Sequence, residues 1–169
     1  MKSGSFLKEA KRAPGSEWLK NHPRFLERLY QLTGQTFRVV YPLMKRVAPR
    51  TGERFMIRME AVIKGWMFNC QMCGQCILHS TGMTCPMTCP KNLRNGPCGG
   101  VRLNGHCEVI PDLPCVWVQA WERSQQMKTY TDELHIIQPP VNQTLKNTSS
   151  WINMIEENDI QVPVGWTTE

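Results

Sequence analysis

Eight cysteines are the residues of this sequence whose type and spacing could do chemistry. All of them fall between residues 70 and 115 of the 169-residue chain, and neither flank contains one. They are Cys70, Cys73, Cys76, Cys85, Cys89, Cys98, Cys107 and Cys115. The same window holds six glycines and five prolines, so turns predominate and little apolar core is available. Such a segment needs a covalent or metal staple to fold.

Three kinds of staple are compatible with eight cysteines. Four disulfides would suit a secreted domain, but the N-terminus shows no apolar signal sequence, and the cytosol keeps thiols reduced. Two zinc sites with four cysteines each fit the count. Two [4Fe–4S] clusters fit it equally well, since each cluster takes four thiolates.

The spacing of the first three cysteines favours iron–sulfur clusters over zinc. A tight C-x₂-C-x₂-C loop, here Cys70 to Cys76, can bind three corners of a cluster while a distant cysteine binds the fourth. Zinc ribbons instead use C-x₂-C pairs. Cys89-Pro90 matches the end of a ferredoxin run, although the gap of eight residues after Cys76 does not. We therefore expect these three thiols to share one metal group, with the fourth ligand coming from beyond Cys89.

Turn signals predict how two of the later cysteines are presented. Asn104-Gly105 favours a type I′ turn, which predicts a short β-hairpin carrying Cys107 on a strand. The glycines of the Gly96–Gly100 segment surround Cys98 and could bring backbone N–H groups close to its sulfur.

A helix is expected to follow the hairpin, from about Leu113 to Met127. Asp112 is the candidate N-cap of this helix. Cys115 would fall in its first turn, where helix N–H groups favour a thiolate. The window also contains His79 and His106, which we expect to be surplus because eight thiols already complete two sets of four.

The flanks predict helices before the cysteines. Residues 1–22 are basic and polar and are expected to form a mobile arm. The region 23–67 is predicted to be helical, beginning with a helix over 23–33 that ends at Gly34. A segment over 37–47 is expected to be broken at Pro42. A further helix is predicted over 51–64, with an apolar stripe at helical spacing.

Residues 128–169 are predicted to form an extended tail that binds a partner. Ser149 is the candidate N-cap of a short helix within it. Trp151 and Trp166 are the candidate anchors to the partner surface.

Charge is distributed unevenly along the chain. Residues 1–70 carry a net charge of +9 and residues 71–169 a net charge of −3. A basic front half could bind nucleic acid, an anionic membrane or an acidic partner, while a solvated helix surface is the simpler interpretation. No aromatic pattern supports nucleic-acid binding, and no apolar run reaches the ~18 residues of a membrane span. We therefore expect a cytoplasmic protein.

The cysteine window resembles a known domain. The run CQMCGQCILHSTGMTCPMTCPKNLRNGPCGG, over 70–100, and its continuation through Cys107 to Cys115-Val-Trp117 are similar to the cysteine-rich domain associated with methylenetetrahydrofolate reductase. Domains of this kind are found fused to that enzyme or, in acetogenic bacteria, as its small iron–sulfur subunit. The resemblance implies two [4Fe–4S] clusters on the eight cysteines, beside a larger barrel subunit that carries FMN or FAD. Members of the family have also been described as zinc-binding.

The sequence thus predicts a small α-helical, loop-rich, metal-stapled fold, with an eight-cysteine domain over 68–127. Its length is too short for a (β/α)₈ barrel, which needs about 250 residues. The expected function is an accessory subunit in a hetero-oligomer, relaying electrons to the flavin of a methylenetetrahydrofolate reductase partner. A zinc-stabilised scaffold without a redox role is the alternative, and a basic zinc protein that binds nucleic acid is a weaker third.

Overall fold

The computed structural model describes residues 21–160, and α-helices carry most of the regular structure in that range. They are α1 (Pro23–Val47), α2 (Pro49–Phe68), α3 (Val116–Ser124) and α4 (Ser150–Ile155). Short 3₁₀ turns lie at Pro86–Thr88, Thr131–His135 and Gln143–Leu145. Among the described helices, none has the length and apolarity needed to cross a bilayer. Most of the expected basic arm, and Trp166, lie outside the described residues.

Helix α1 continues through Gly34 and Pro42, where the sequence predicted an end and a break. Gly34 lies against Trp151, and a Cβ at this position would stand 3.3 Å from Cζ3 of that ring. The glycine therefore serves close packing rather than helix termination. Pro42 is exposed, so water can reach the carbonyl that its missing N–H leaves without a partner.

Helix α2 confirms the predicted helix over 51–64 and extends it at both ends. Ala48 alone separates it from α1. The two helices pack closely at Gly52, where a Cβ would stand 2.6 Å from Cγ of Met44. Asn69 ends α2 in the left-handed region, with φ of 53°. We call the two helices together the α1–α2 hairpin.

Two apolar clusters join the α1–α2 hairpin to the rest of the chain. The first consists of Leu26, Leu78, Met83, Cys85 and Met127, and the second of Phe37, Tyr41, Trp151 and Ile152. Trp151 is only 8% exposed, and its ring lies 5.0 Å from that of Tyr30. The tail therefore folds back onto its own chain here, and Trp151 is not available as the partner anchor that we expected. Ser149 does cap α4, accepting a hydrogen bond from the backbone N–H of Ile152.

The turn at Asn104-Gly105 forms, but not as a type I′ hairpin. The N–H of Gly105 donates to the carbonyl of Arg102 at 2.8 Å, and of the two turn residues only Gly105 has a positive φ, 79°. Within residues 21–160 no β-strand develops, and an isolated antiparallel bridge joins Val101 to Cys107. A second isolated antiparallel bridge joins His106 to Pro114.

Helix α3 begins later and ends earlier than the sequence predicted. Its N-cap is Cys115 rather than Asp112. The carbonyl of Leu113 accepts from the N–H of Cys107 at 2.8 Å, so the chain before Cys115 belongs to the turn segment. After Ser124 the bonds tighten to the three-residue spacing of a 3₁₀ turn, which ends the helix before Met127.

Candidate metal centre

Four cysteines line one cavity at the end of α2. We name this group the first cysteine set, and it consists of Cys70, Cys73, Cys76 and Cys85. Three of the thiols come from the loop directly after α2. The fourth is Cys85 and not a cysteine beyond Cys89, because a buried turn returns the chain to the end of α2. In that turn the N–H of Met83 donates to the carbonyl of Leu78 at 2.9 Å.

Left-handed backbone winds the loop of the first cysteine set tightly. Met72 and Gly74 have φ of 48° and 76°. A Cβ on Gly74 would stand 2.2 Å from the backbone oxygen of Leu145, so only glycine fits this approach. The N–H of Met72 points back to the sulfur of Cys70 at 3.4 Å. The loop thus directs a backbone donor at a sulfur, as metal–thiolate sites do.

The thiols of the first cysteine set differ in acidity. A hydrogen bond from Cys85 outweighs burial and, with the N–H of Met72, lowers the pKa of Cys70 to about 7. The same bond and burial raise the pKa of Cys85 above its ordinary value. Metals bind thiolates, and the hydrogen bond between these two thiols eases the loss of one proton from the pair.

Two buried cations flank the first cysteine set. Lys64 is 6% exposed and Arg94 is 5% exposed. Burial opposes the charge of Lys64, but the neighbouring Cys76 and Glu60 hold its pKa above the ordinary value. Arg94 donates to the carbonyls of Gln75 and Pro139, at 3.1 and 2.7 Å. Both cations lie where they would offset the negative charge of thiolates.

The tail holds the first cysteine loop in place. The N–H of Asn147 donates to the carbonyl of Met72, and the side-chain amide of Asn153 donates to that of Gly74, both at 2.8 Å. From the loop, the buried side-chain amide of Gln75 in turn binds the tail. It accepts a hydrogen bond from the N–H of Asn142 and donates one to the carbonyl of Asp159. Sequence reasoning missed this role of the tail, because short polar residues far along the chain carry no periodic signal.

The other four cysteines line a second cavity. They are Cys89, Cys98, Cys107 and Cys115, and we name them the second cysteine set. This cavity is open and holds about 450 Å³. Cys98 is exposed, and the N–H of Gly100 points to its sulfur at 3.3 Å. The expected approach of glycine backbone to this thiol is thus present.

Apolar residues surround the second cysteine set. Trp117, Trp121, Ile136 and Ile137 line its cavity, and Ile137 is 87% exposed. Nε1 of Trp117 is buried and has no hydrogen-bond partner among the described residues. A buried indole N–H without an acceptor is costly.

The donors of each set fit a metal group in kind and number. Four thiols suit a zinc ion or a [4Fe–4S] cluster. Among residues 21–160 no three Cys, His, Asp or Glu side chains come together in a group that could hold an ion. The first cavity has about 20 Å³ of free space, close to the room of one water molecule. The two cavities therefore differ in free space, since the first has about 20 Å³ and the second about 450 Å³.

The two histidines of the window contact protein groups. Nδ1 of His79 lies 2.5 Å from a carboxylate oxygen of Glu133 and 3.0 Å from the hydroxyl of Ser80. Nδ1 of His106 lies 2.6 Å from the carbonyl of Pro111. Neither histidine lines the cavity of either cysteine set.

Comparison of the sequence with known proteins identifies a family. No curated protein and no solved structure matches the chain. A family model described as "Methylene-tetrahydrofolate reductase C terminal" matches residues 50–144, which is more than half of the chain. The match begins at the start of α2 and covers both cysteine sets. The chain therefore belongs to the methylene-tetrahydrofolate reductase C-terminal family.

Proposed function

We propose that this chain is an accessory subunit of a methylenetetrahydrofolate reductase and relays electrons to the flavin of a larger catalytic partner. In this proposal each cysteine set holds one [4Fe–4S] cluster. Such clusters supply one-electron transfer, and their potential responds to burial and to hydrogen bonds at sulfur. The observation that carries the proposal is the division of the eight cysteines into two sets of four around separate cavities.

The residues around each set suit this role. Lys64 and Arg94 would offset the charge of the first set, and the backbone N–H groups of Met72 and Gly100 would donate to thiolate sulfur. Cys98 of the second set is exposed and would give a partner flavin a place to approach.

Zinc is the second candidate, and one observation favours it. The first cavity has free space of about 20 Å³, so a single ion needs less rearrangement there than a cluster. The chain would then be a scaffold for a folate-dependent enzyme, without a redox role.

Metal analysis of anaerobically purified protein separates the two candidates. The relay requires a brown protein with broad absorbance near ~400 nm and with iron and acid-labile sulfide in equal amounts. Colourless protein with stoichiometric zinc would reject the relay and support the scaffold. Co-expression with the catalytic subunit then tests the partner: stopped-flow reduction of its flavin must depend on this chain if the relay is correct.

A further inference from the structure

Many large apolar side chains of the α1–α2 hairpin are exposed. Twelve large apolar side chains of the two helices are exposed, and Val39, Val47 and Val62 are between 69% and 76% exposed. The apolar stripe predicted over 51–64 is thus helical, but its exposed side chains are not part of the core that the described residues form. Large exposed apolar surface on a soluble domain marks an interaction site.

Part of this surface is concave. An apolar groove of about 420 Å³ runs between α1 and α2, with the buried Trp151 among its lining residues. Along α2 it is lined by Phe55, Met59, Ile63 and Met67, at successive spacings of four residues. These positions span about 18 Å, or roughly three helical turns. A groove of this length, lined by adaptable methionines, suits the apolar face of a helix.

The surface of the hairpin is strongly basic. Glu53 is the one exposed carboxylate on α1 and α2, since Glu27 and Glu60 are buried. Eight cations are exposed on the same helices: Arg24, Arg28, Arg38, Lys45, Arg46, Arg50, Arg54 and Arg58. Lys45 pairs with Glu156 of the tail. Arg28, Arg54 and Arg58 each directly precede a groove residue in the sequence.

We propose that the α1–α2 groove binds an amphipathic helix with an acidic polar face, carried by another protein. Charge complementarity selects this occupant. A second copy of the chain would bring the same cations face to face, and residues 1–20, with five basic and two acidic residues, are repelled in the same way. A flat anionic bilayer would match the basic charge of the hairpin, but its surface would not fill the concave groove.

The inference rests on the proposed function in one respect, namely that the chain works beside a larger partner. It does not depend on which metal the cysteines hold. Metal content measured on the same preparations therefore reports on the proposed function separately from the groove.

Binding of a designed peptide to the full chain tests the groove. The peptide is about 18 residues long, with leucines at i, i+3, i+4 and i+7 and glutamates elsewhere. Its labelled form is titrated by fluorescence anisotropy against the wild type, Ile63→Glu and Val62→Glu. The two variants make the same charge change at adjacent positions of α2, and only Ile63 lines the groove. Circular dichroism melting confirms that both variants are folded.

The groove is supported if the peptide binds the wild type and Val62→Glu equally and binds Ile63→Glu about tenfold more weakly. Equal weakening in both variants would reject it, as would equal binding of a matched peptide with lysines on its polar face. Two further outcomes overturn the proposed occupant. One is binding to phosphatidylcholine–phosphatidylglycerol vesicles without peptide binding. The other is a dimer in sedimentation equilibrium that Ile63→Glu dissociates.

Discussion

Nζ of Lys64 lies 2.7 Å from Oε1 of Glu60, one turn earlier on α2, and both side chains are buried. The hydroxyl groups of Ser149 and Ser150 also donate to the Glu60 carboxylate, and Lys64 donates to the Ser150 hydroxyl at 2.8 Å. The ion pair therefore fastens the start of α4 to α2. Glu60 and Ser150 also line the cavity of the first cysteine set, so the same bonds hold one of its walls.

Lys64→Met should strongly destabilise the fold, because it leaves the Glu60 carboxylate buried without its counter-charge. Removing one partner of a buried ion pair costs about 3–5 kcal/mol. Urea unfolding of the metal-loaded protein measures the loss. Lys45→Met is the matched control, since Lys45 pairs with Glu156 at the surface and little change is expected there. A loss as large in Lys45→Met as in Lys64→Met would contradict this account.

Glu27→Gln should destabilise the protein at neutral pH and make little difference in acid. The buried carboxylate of Glu27 accepts from the backbone N–H groups of Lys128, Thr129 and Tyr130, at 2.7–3.1 Å. Burial alone would raise its pKa, but these donors bring it below the ordinary 4.5. The stabilisation is therefore present above pH 4.5 and is lost as pH falls through the lower, folded-state value.

The measurement for Glu27 is the free energy of unfolding of the variant and the wild type from neutral pH to about pH 3. The variant should lose about 1–3 kcal/mol at neutral pH, as expected for hydrogen bonds to a buried charge. Glu122→Gln, an exposed exchange on α3, is the control. A difference between variant and wild type that stayed constant over this range would show that the carboxylate charge is not what stabilises the contact.

Local signals predicted the helices of this fold better than their ends. The helix over 51–64 and the Ser149 cap follow from spacing and capping, which act within a few residues. The helix does not end at Gly34 or break at Pro42, as the sequence predicted. Gly34 instead packs against the ring of Trp151, which is more than a hundred residues away in the sequence. Tertiary packing of this kind overrides local preference and is not visible in the sequence.

Trp151→Ala should unfold or strongly destabilise the chain, whereas Trp66→Ala should not. Trp151 is packed among Tyr30, Phe37 and Gly34, and truncating a buried tryptophan costs about 3–5 kcal/mol. Trp66 is 53% exposed on α2. Thermal melting compares the two variants. A wild-type melting temperature for Trp151→Ala would restore the idea that this residue serves a partner instead of the core.

Pairs of cysteine substitutions should reveal the grouping of the ligands. If each set binds one cluster, Cys73→Ser with Cys85→Ser removes about half of the iron, since both changes strike the same cluster. The double variant Cys73→Ser with Cys107→Ser removes one ligand from each set, so it should lose nearly all of the iron. Iron and sulfide assays of anaerobic preparations measure this. If Cys73→Ser with Cys85→Ser lost more iron than Cys73→Ser with Cys107→Ser, the proposed grouping of the ligands would be wrong.

The sequence predicted the candidate site in composition but not in arrangement. Eight cysteines in one window predict a segment that a metal or disulfides hold together. The C-x₂-C-x₂-C spacing predicts that three of them lie at the same site. The fourth member of the first cysteine set depends on the buried turn at Leu78–Met83, which is set by packing against α1. The hydrogen bonds from Asn147 and Asn153 of the tail to the first cysteine loop likewise join residues that are distant in the sequence.

Metal removal should expose the second cysteine set to proteolysis before the first. The first set is tied down by the hydrogen bonds of the tail and by the core around Leu78 and Met83. The turn of the second set carries Arg102 and Leu103 on the surface, and nothing lies within 4 Å of a Cβ built at Gly96, Gly99 or Gly105. Ligand bonds therefore supply a larger share of the order there.

Limited trypsin digestion of the loaded and chelator-treated protein, read by mass spectrometry, tests this order. Cleavage after the exposed Arg102 should accelerate on metal removal, while cleavage after the buried Arg94 should follow only later. Local opening governs such cuts when reclosing is fast, so the ratio of the two rates reports the difference in local stability. Simultaneous cleavage at both sites would mean that the two sets unfold as one unit. Unchanged cleavage after Arg102 would mean that metal does not hold the second set at all.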